Sequence, residues 1–186
     1  LNPNCWRERV QESTDMTQKR LTEKVALVTG GSNGIGRATC LRFAEEDATV
    51  VIADVDESAG HQLAEEINKM GTQALFVPTD VSSETSVSNL VKEAKEQFNT
   101  IDVLINNAGF GTKNNFVDIP WRRSADQLQL NIVALTELTH RYAQAMRARG
   151  RGHIMNVASV GAYVPTPYYA TYGATKAYVR NFSEAI

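Results

Sequence analysis

Tyr172 and Lys176 stand four residues apart in the stretch YGATK, near the end of the 186-residue sequence. On an α-helix that spacing puts both side chains on one face, one turn apart. A free tyrosine titrates near 10, too high for proton transfer at neutral pH, and a neighbouring cation favours its phenolate. The pair could therefore pass a proton to or from a substrate oxygen. Taken alone, it could equally be an exposed amphipathic pair.

A second constellation lies far upstream, in TGGSNGIG (29–36). Gly30, Gly34 and Gly36 let the backbone turn tightly and approach a phosphate, and a following helix offers free N–H groups and its positive end to a pyrophosphate. The spacing G-x-x-x-G-x-G matches the commoner dinucleotide fingerprint only loosely, and no Gly-Lys-Ser/Thr ending marks a triphosphate loop. A plain tight turn explains the glycines equally well. Asp54, 24 residues after Gly30, is more specific. At a strand end its carboxylate can accept hydrogen bonds from an adenosine ribose and would repel a 2′-phosphate. The expected cofactor is therefore NAD, with NADP less favoured. Asn33 rather than a cation precedes Gly34, Val55 follows the aspartate, and Arg37 is the only nearby cation.

These residues need elements to hold them. Short β-branched runs at 25–29, 49–54, 73–78, 102–107 and 153–159 predict strands. Apolar-periodic stretches predict helices over 35–46, 57–70, 83–98 and 123–149, and a last one from about 168. Ser82 or Ser83 is the expected cap of the third helix. Continuous apolar strands alternating with helices predict an α/β fold, a doubly wound parallel sheet covered on both faces. Residues 16–186 form one domain, and 1–15 read as an N-terminal extension ahead of a plausible start at Met16.

Bulk properties exclude several function classes. The net charge of -2 and pI near 6.0 give no general attraction to nucleic acid or an anionic membrane. Arg141, Arg147, Arg149 and Arg151 bunch together, but cations before Gly150 and Gly152 suit a helix C-terminus. Cys5 and Cys40 have no paired spacing, which speaks against a disulfide framework and suits a reducing compartment. His61, His140 and His153 are scattered without ligand partners, so no metal is expected. No apolar run approaches membrane-spanning length, and a soluble, cytoplasmic protein is expected. Trp121 reads as a packing residue; Tyr163, Tyr168 and Tyr169 could line a substrate mouth or pack on the sheet.

In this order, TGGSNGIG, NNAG (106–109), Ser159 and YGATK resemble the short-chain dehydrogenase/reductase family of the single-domain type, over about residues 24–186. The resemblance implies a Rossmann fold and hydride transfer between a nicotinamide cofactor and a small alcohol or ketone. It implies that Tyr172 is the general acid/base, that Lys176 tunes it and holds the nicotinamide ribose, and that Ser159 polarises the substrate oxygen. Asn131, in LQLNIVAL, would anchor a water and backbone relay to Lys176. Carried over for the cofactor are Gly30, Ser32, Asn33, Gly34, Ile35 and Gly36 in the loop, with Asp54 and Val55 after the second strand. Asp80 and Val81 would lie near adenine, and Asn107, Ala108 and Gly109 beside the ribose.

The family further implies a homodimer or homotetramer formed through the long helix and the YGATK helix. Leu128, Leu135, Leu138, Tyr142 and Met146 recur near helical spacing on that long helix, more than one sheet-facing stripe needs. Family members usually continue through further strands, so the chain reads as C-terminally truncated, with its fifth strand left as a sheet edge. The alternative function is a non-catalytic dinucleotide-binding or assembly module.

Overall fold

The central strands of the sheet are mostly apolar and buried because helices cover both of its faces there, whereas the edge strand at His153–Asn156 leaves His153 and Met155 exposed. In the computed structural model, which describes residues 19–186, β1 (Val25–Thr29), β2 (Thr49–Asp54), β3 (Ala74–Pro78), β4 (Val103–Asn106) and β5 (His153–Asn156) pair in parallel, in the order β3-β2-β1-β4-β5. The expectations for residues 1–15 and Met16 lie outside the described residues.

Alternate strand positions serve opposite layers. Ala26, Val28, Val50 and Ile52 pack under α1 (Gly34–Glu45) and α2 (Glu57–Lys69), together with Cys40, Leu63 and Ile67. Leu27, Val51, Val77 and Leu104 pack on the other side against α3 (Glu84–Phe98) and α5 (Leu135–Arg149), through Leu90, Leu138 and Tyr142. Each fully buried Leu, Ile or Val contributes about 1.5–3 kcal/mol relative to an exposed one. This is the three-layer α/β/α arrangement expected from the sequence.

Local chemistry sets the helix ends. The Asp56 carboxylate accepts from Ala59 N at 3.0 Å to start α2, and Ser83, not Ser82, caps α3 by accepting from Ser86 N. Gly150, at φ 72, ends α5 in the left-handed conformation that glycine adopts without strain.

Four expectations need correction. The long helix begins at Trp121 as α4 (Trp121–Leu128) and widens into one π-helical turn at Gln129–Ala134 before continuing as α5. Trp121 does not pack; it is 73% exposed. β5 stops at Asn156, after which Val157 N makes one more bond to Asn106 O. The chain then turns away at Ser159, whose Oγ accepts from Gly161 N at the start of a short 3-10 turn, Val160–Ala162. Finally, Leu135, Leu138, Tyr142 and Met146 are all buried within this subunit. A separate apolar surface lies where Ile132, Val133 and Ala143 meet Tyr178 and Phe182 of α6 (Ala170–Ala185).

Candidate active site

The sheet order reverses between β1, which leads outward to β2, and β4, which leads to β5. Turns leaving adjacent strands on opposite faces open a crevice beyond the strand ends, where ligands of such sheets bind. Here the two turns are stitched together. Asn107 Nδ2 donates to Thr29 O at 3.0 Å and Gly30 O at 2.9 Å. Thr29 Oγ1 accepts from the amides of Asn107 and Ala108, both at 3.1 Å. The side chain of Asn107 is thus a brace between the two turns.

The glycines are needed at these contacts. Gly30 and Gly34 have φ of 61 and 53, which disfavours any side chain. A Cβ at Gly36 would fall 1.9 Å from Gly30 O. Asn33 precedes α1 without capping it through its side chain, and no acidic residue occupies the first turn; its Nδ2 donates to Asp56 Oδ2 instead. The first-turn N–H groups are therefore left to a ligand, and an anion fits them. Ser32 Oγ is buried and has no partner among the described residues. The Gly30–Gly36 cradle fits a dinucleotide pyrophosphate.

Asp54 ends β2 half-buried. Its Oδ2 accepts from Ser32 N at 2.9 Å and its Oδ1 from Asp56 N at 3.1 Å, so it fastens the glycine loop to β2. Val55 and Ile35 are largely exposed beside it, at 69% and 68%. At the end of β3, Val81 is buried in the core, and Asp80 turns toward α3, its Oδ1 accepting from both Ser82 N and Ser82 Oγ. Arg37, the one cation foreseen here, is paired with Glu66.

A cleft of about 750 Å³ joins this loop to the chemistry-bearing residues. Gly30, Asn33, Gly34 and Ile35 of the loop, Asn107, Ala108 and Gly109, and Ser159, Tyr172 and Lys176 all line it. Ser32, Gly36, Asp54, Val55, Asp80 and Val81 do not line that cleft. Ser159 Oγ accepts from Gly161 N at 3.1 Å, which leaves its own proton to donate. Tyr172 is half-buried, packed edge-on against Tyr169 with ring centroids 6.1 Å apart.

Lys176 is only 6% exposed, and its Nζ donates to Val157 O at 2.6 Å and lies 5.9 Å from the Tyr172 ring centroid. Burial holds its pKa below the usual 10.5. Asn131 sits in the π-helical turn, 1% exposed. Its Oδ1 accepts from Phe110 N at 3.1 Å, and its Nδ2 donates to Phe110 O at 2.9 Å and Thr175 Oγ1 at 3.1 Å. A Cβ on Gly109 would lie 2.9 Å from Asn131 Oδ1 and 3.8 Å from Lys176 Nζ, so Asn131 and Lys176 approach the same spot beneath the NNAG turn.

Sequence reasoning missed Thr29, Phe110, Gln127 and Thr175, and left Tyr169 open between lining a substrate mouth and packing on the sheet. Gln127 is fully buried, with Nε2 on Phe110 O. Phe110 and Gln127 belong to no spaced motif, and Thr29 and Thr175 stand inside TGGSNGIG and YGATK without being singled out. Thr29 alone carried a signal, as a hydroxyl at a strand end facing the switch point. Tyr169 lines the cleft, whereas Tyr163 and Tyr168 are largely exposed.

Comparison with known proteins agrees with this geometry. A family model described as short chain dehydrogenase matches residues 24–186. An uncharacterized oxidoreductase of Thermotoga maritima is 37% identical, covering 84% of this chain and 61% of its own length. A cyclopentanol dehydrogenase from a Comamonas species is 34% identical, covering 89% and 66%. Among solved structures, a short chain dehydrogenase/reductase from Burkholderia phymatum in complex with NAD superposes with a TM-score of 0.86 at 30% identity, covering 89% of this chain and 59% of that one. An NAD+-bound xylitol dehydrogenase gives 0.85 at 31%, covering 90% and 65%. The chain thus spans about three fifths to two thirds of the length of the relatives it matches.

Proposed function

This chain belongs to the short-chain dehydrogenase family, and on that premise we propose that it binds NAD and transfers hydride between the cofactor and an alcohol or ketone, with Tyr172 as general acid/base. The observation that carries the reading is the shared cleft: Ser159, Tyr172 and Lys176 line the same cavity as Gly30, Asn33 and Gly34 of the glycine turn. The nicotinamide, when bound, supplies the hydride acceptor or donor. In alcohol oxidation the hydroxyl proton passes to the Tyr172 oxygen as the carbinol hydrogen leaves with its electron pair. Ser159, whose proton is free, donates a hydrogen bond to the substrate oxygen and keeps it oriented. Lys176 commits one N–H to Val157 O and retains two for a ribose hydroxyl and for stabilising the phenolate. Asn131 holds the turn after NNAG against the catalytic helix.

NAD is favoured over NADP because the Asp54 and Asp56 carboxylates beside the glycine loop would repel a 2′-phosphate there, and Arg37 is already paired. The relatives described as acting on cyclopentanol and xylitol support a small uncharged alcohol as substrate. A second copy of the chain is the expected cover for the apolar surface at Val133, Tyr178 and Phe182, giving a homodimer or homotetramer.

The test is NADH formation with a panel of secondary alcohols, comparing the parent with Tyr172→Phe. The variant should bind NAD+ normally and lose turnover by about 100-fold or more. Retention of most activity would refute the assignment, and dinucleotide binding with no turnover by the parent would favour the non-catalytic module.

A further inference from the structure

Thr175 lies inside the YGATK stretch, between the two residues assigned to proton transfer, and is completely buried. Its Oγ1 donates to the backbone carbonyl of Tyr172 at 2.7 Å and accepts from Asn131 Nδ2 at 3.1 Å. A threonine bonding back to its own helix is common and by itself says nothing. The second bond is different, because Asn131 belongs to another helix and spends the rest of its amide on Phe110 N and Phe110 O.

These bonds close a circuit. Phe110 is held by Asn131, Asn131 is held by Thr175, and Thr175 is held to the carbonyl of Tyr172. The next residue along, Gly111, lies beside the Tyr172 ring, close enough that a Cβ there would fall 3.1 Å from Tyr172 Cδ2. Tyr172 is therefore fixed at its backbone by Thr175 and at its ring by the turn that Asn131 holds.

We propose that the Thr175 hydroxyl is a positioning group, which sets the Tyr172 ring in register with the 107–111 turn that borders the nicotinamide side of the cleft. The proposal rests on the reading of Tyr172 as the proton-transfer residue. Thr175 touches neither substrate nor cofactor; it acts through Tyr172. Proximity effects are steep, and an ångström of misplacement costs up to about 100-fold in rate.

The experiment compares Thr175→Val, which keeps the side-chain shape and removes the hydroxyl, with Thr175→Ser, which keeps the hydroxyl. Turnover should fall about 10- to 100-fold in Thr175→Val with the Kd for NAD+ changed less than about twofold, and Thr175→Ser should restore it. A readout independent of turnover is the Cζ resonance of ¹³C-labelled tyrosine, with Tyr172 assigned by Tyr172→Phe. That resonance and its pH titration should move in Thr175→Val and return in Thr175→Ser. If Thr175→Val does not fold, Thr175→Ala removes the same hydroxyl with less bulk. An unmoved Tyr172 resonance, or Val and Ser variants that behave alike, overturns the proposal. Undiminished activity of Tyr172→Phe would instead overturn the proton-transfer reading, and the resonance comparison would still decide the role of Thr175.

Discussion

Gly36→Ala adds one methyl group where two turns already touch. The new Cβ would lie 1.9 Å from Gly30 O, 2.8 Å from Gly30 C and 2.7 Å from Asn107 Nδ2, against 3.4 Å for ordinary contact. Two of those atoms are backbone, so the turn after β1 must move by more than an ångström. Overpacking of this kind costs about 1–3 kcal/mol. Displacing Gly30 O also loosens its bond from Asn107, worth about 0.5–1.5 kcal/mol. Alanine is the better helix former by up to ~1 kcal/mol, which offsets part of the loss. The net expectation is a destabilisation of about 2 kcal/mol within a range of about 0.5–3.5, or roughly 4–8 °C in Tm at the middle value for a domain of this size. Gly34→Ala is the control. Its φ of 53 is strained for alanine, but no atom lies within 4 Å of the new Cβ, so its cost should stay near 1 kcal/mol. Urea denaturation with matched m-values measures both, and calorimetric titration follows NAD+. Gly36→Ala should also lose most of its dinucleotide affinity. Equal stability of the two variants, or normal NAD+ binding by Gly36→Ala, would refute the packing argument.

Asp54→Ala should erode the preference for NAD over NADP by about tenfold or more, as removal of a like-charge repulsion predicts; equal affinity of the parent for both dinucleotides refutes it. Lys176 has its pKa lowered by burial, so between that value and 10.5 the unfolded chain binds more protons than the folded one, and stability rises with pH there. Lys176→Met lacks this titration, so its stability relative to the parent should decline as pH climbs toward 10.5; a pH-independent difference in urea midpoints counts against it. Val133→Lys, at a 47% exposed position on the apolar surface, should yield a monomer by analytical ultracentrifugation where the parent is a dimer or tetramer, and a monomeric parent overturns the assembly reading.

The layered α/β fold was legible from local pattern alone. Five apolar runs, each too short for a helix and separated by amphipathic stretches, admit few arrangements other than a covered parallel sheet. β1 and β2 were read to the residue, because glycine or aspartate ends each run abruptly. The site motifs were legible for the same local reason: Gly30 to Gly36, and Tyr172 with Lys176, are spaced within single elements. What local pattern cannot carry is contact between elements. The stripe at Leu128, Leu135, Leu138, Tyr142 and Met146 reads as surplus to one core, yet the last four are buried in this subunit and Leu128 is partly buried. The 3.6-residue period gives a face its width but not its direction. The π-helical turn at Asn131 has no glycine or proline to announce it; it accompanies an amide bonded to Phe110, 21 residues away in sequence. The brace from Asn107 to Thr29 and Gly30 likewise joins residues that only the parallel pairing of β1 with β4 brings side by side. Residue type and spacing determined which chemistry was available; the sheet order determined which groups meet, because hydrogen bonds act over about 3 Å regardless of distance along the chain.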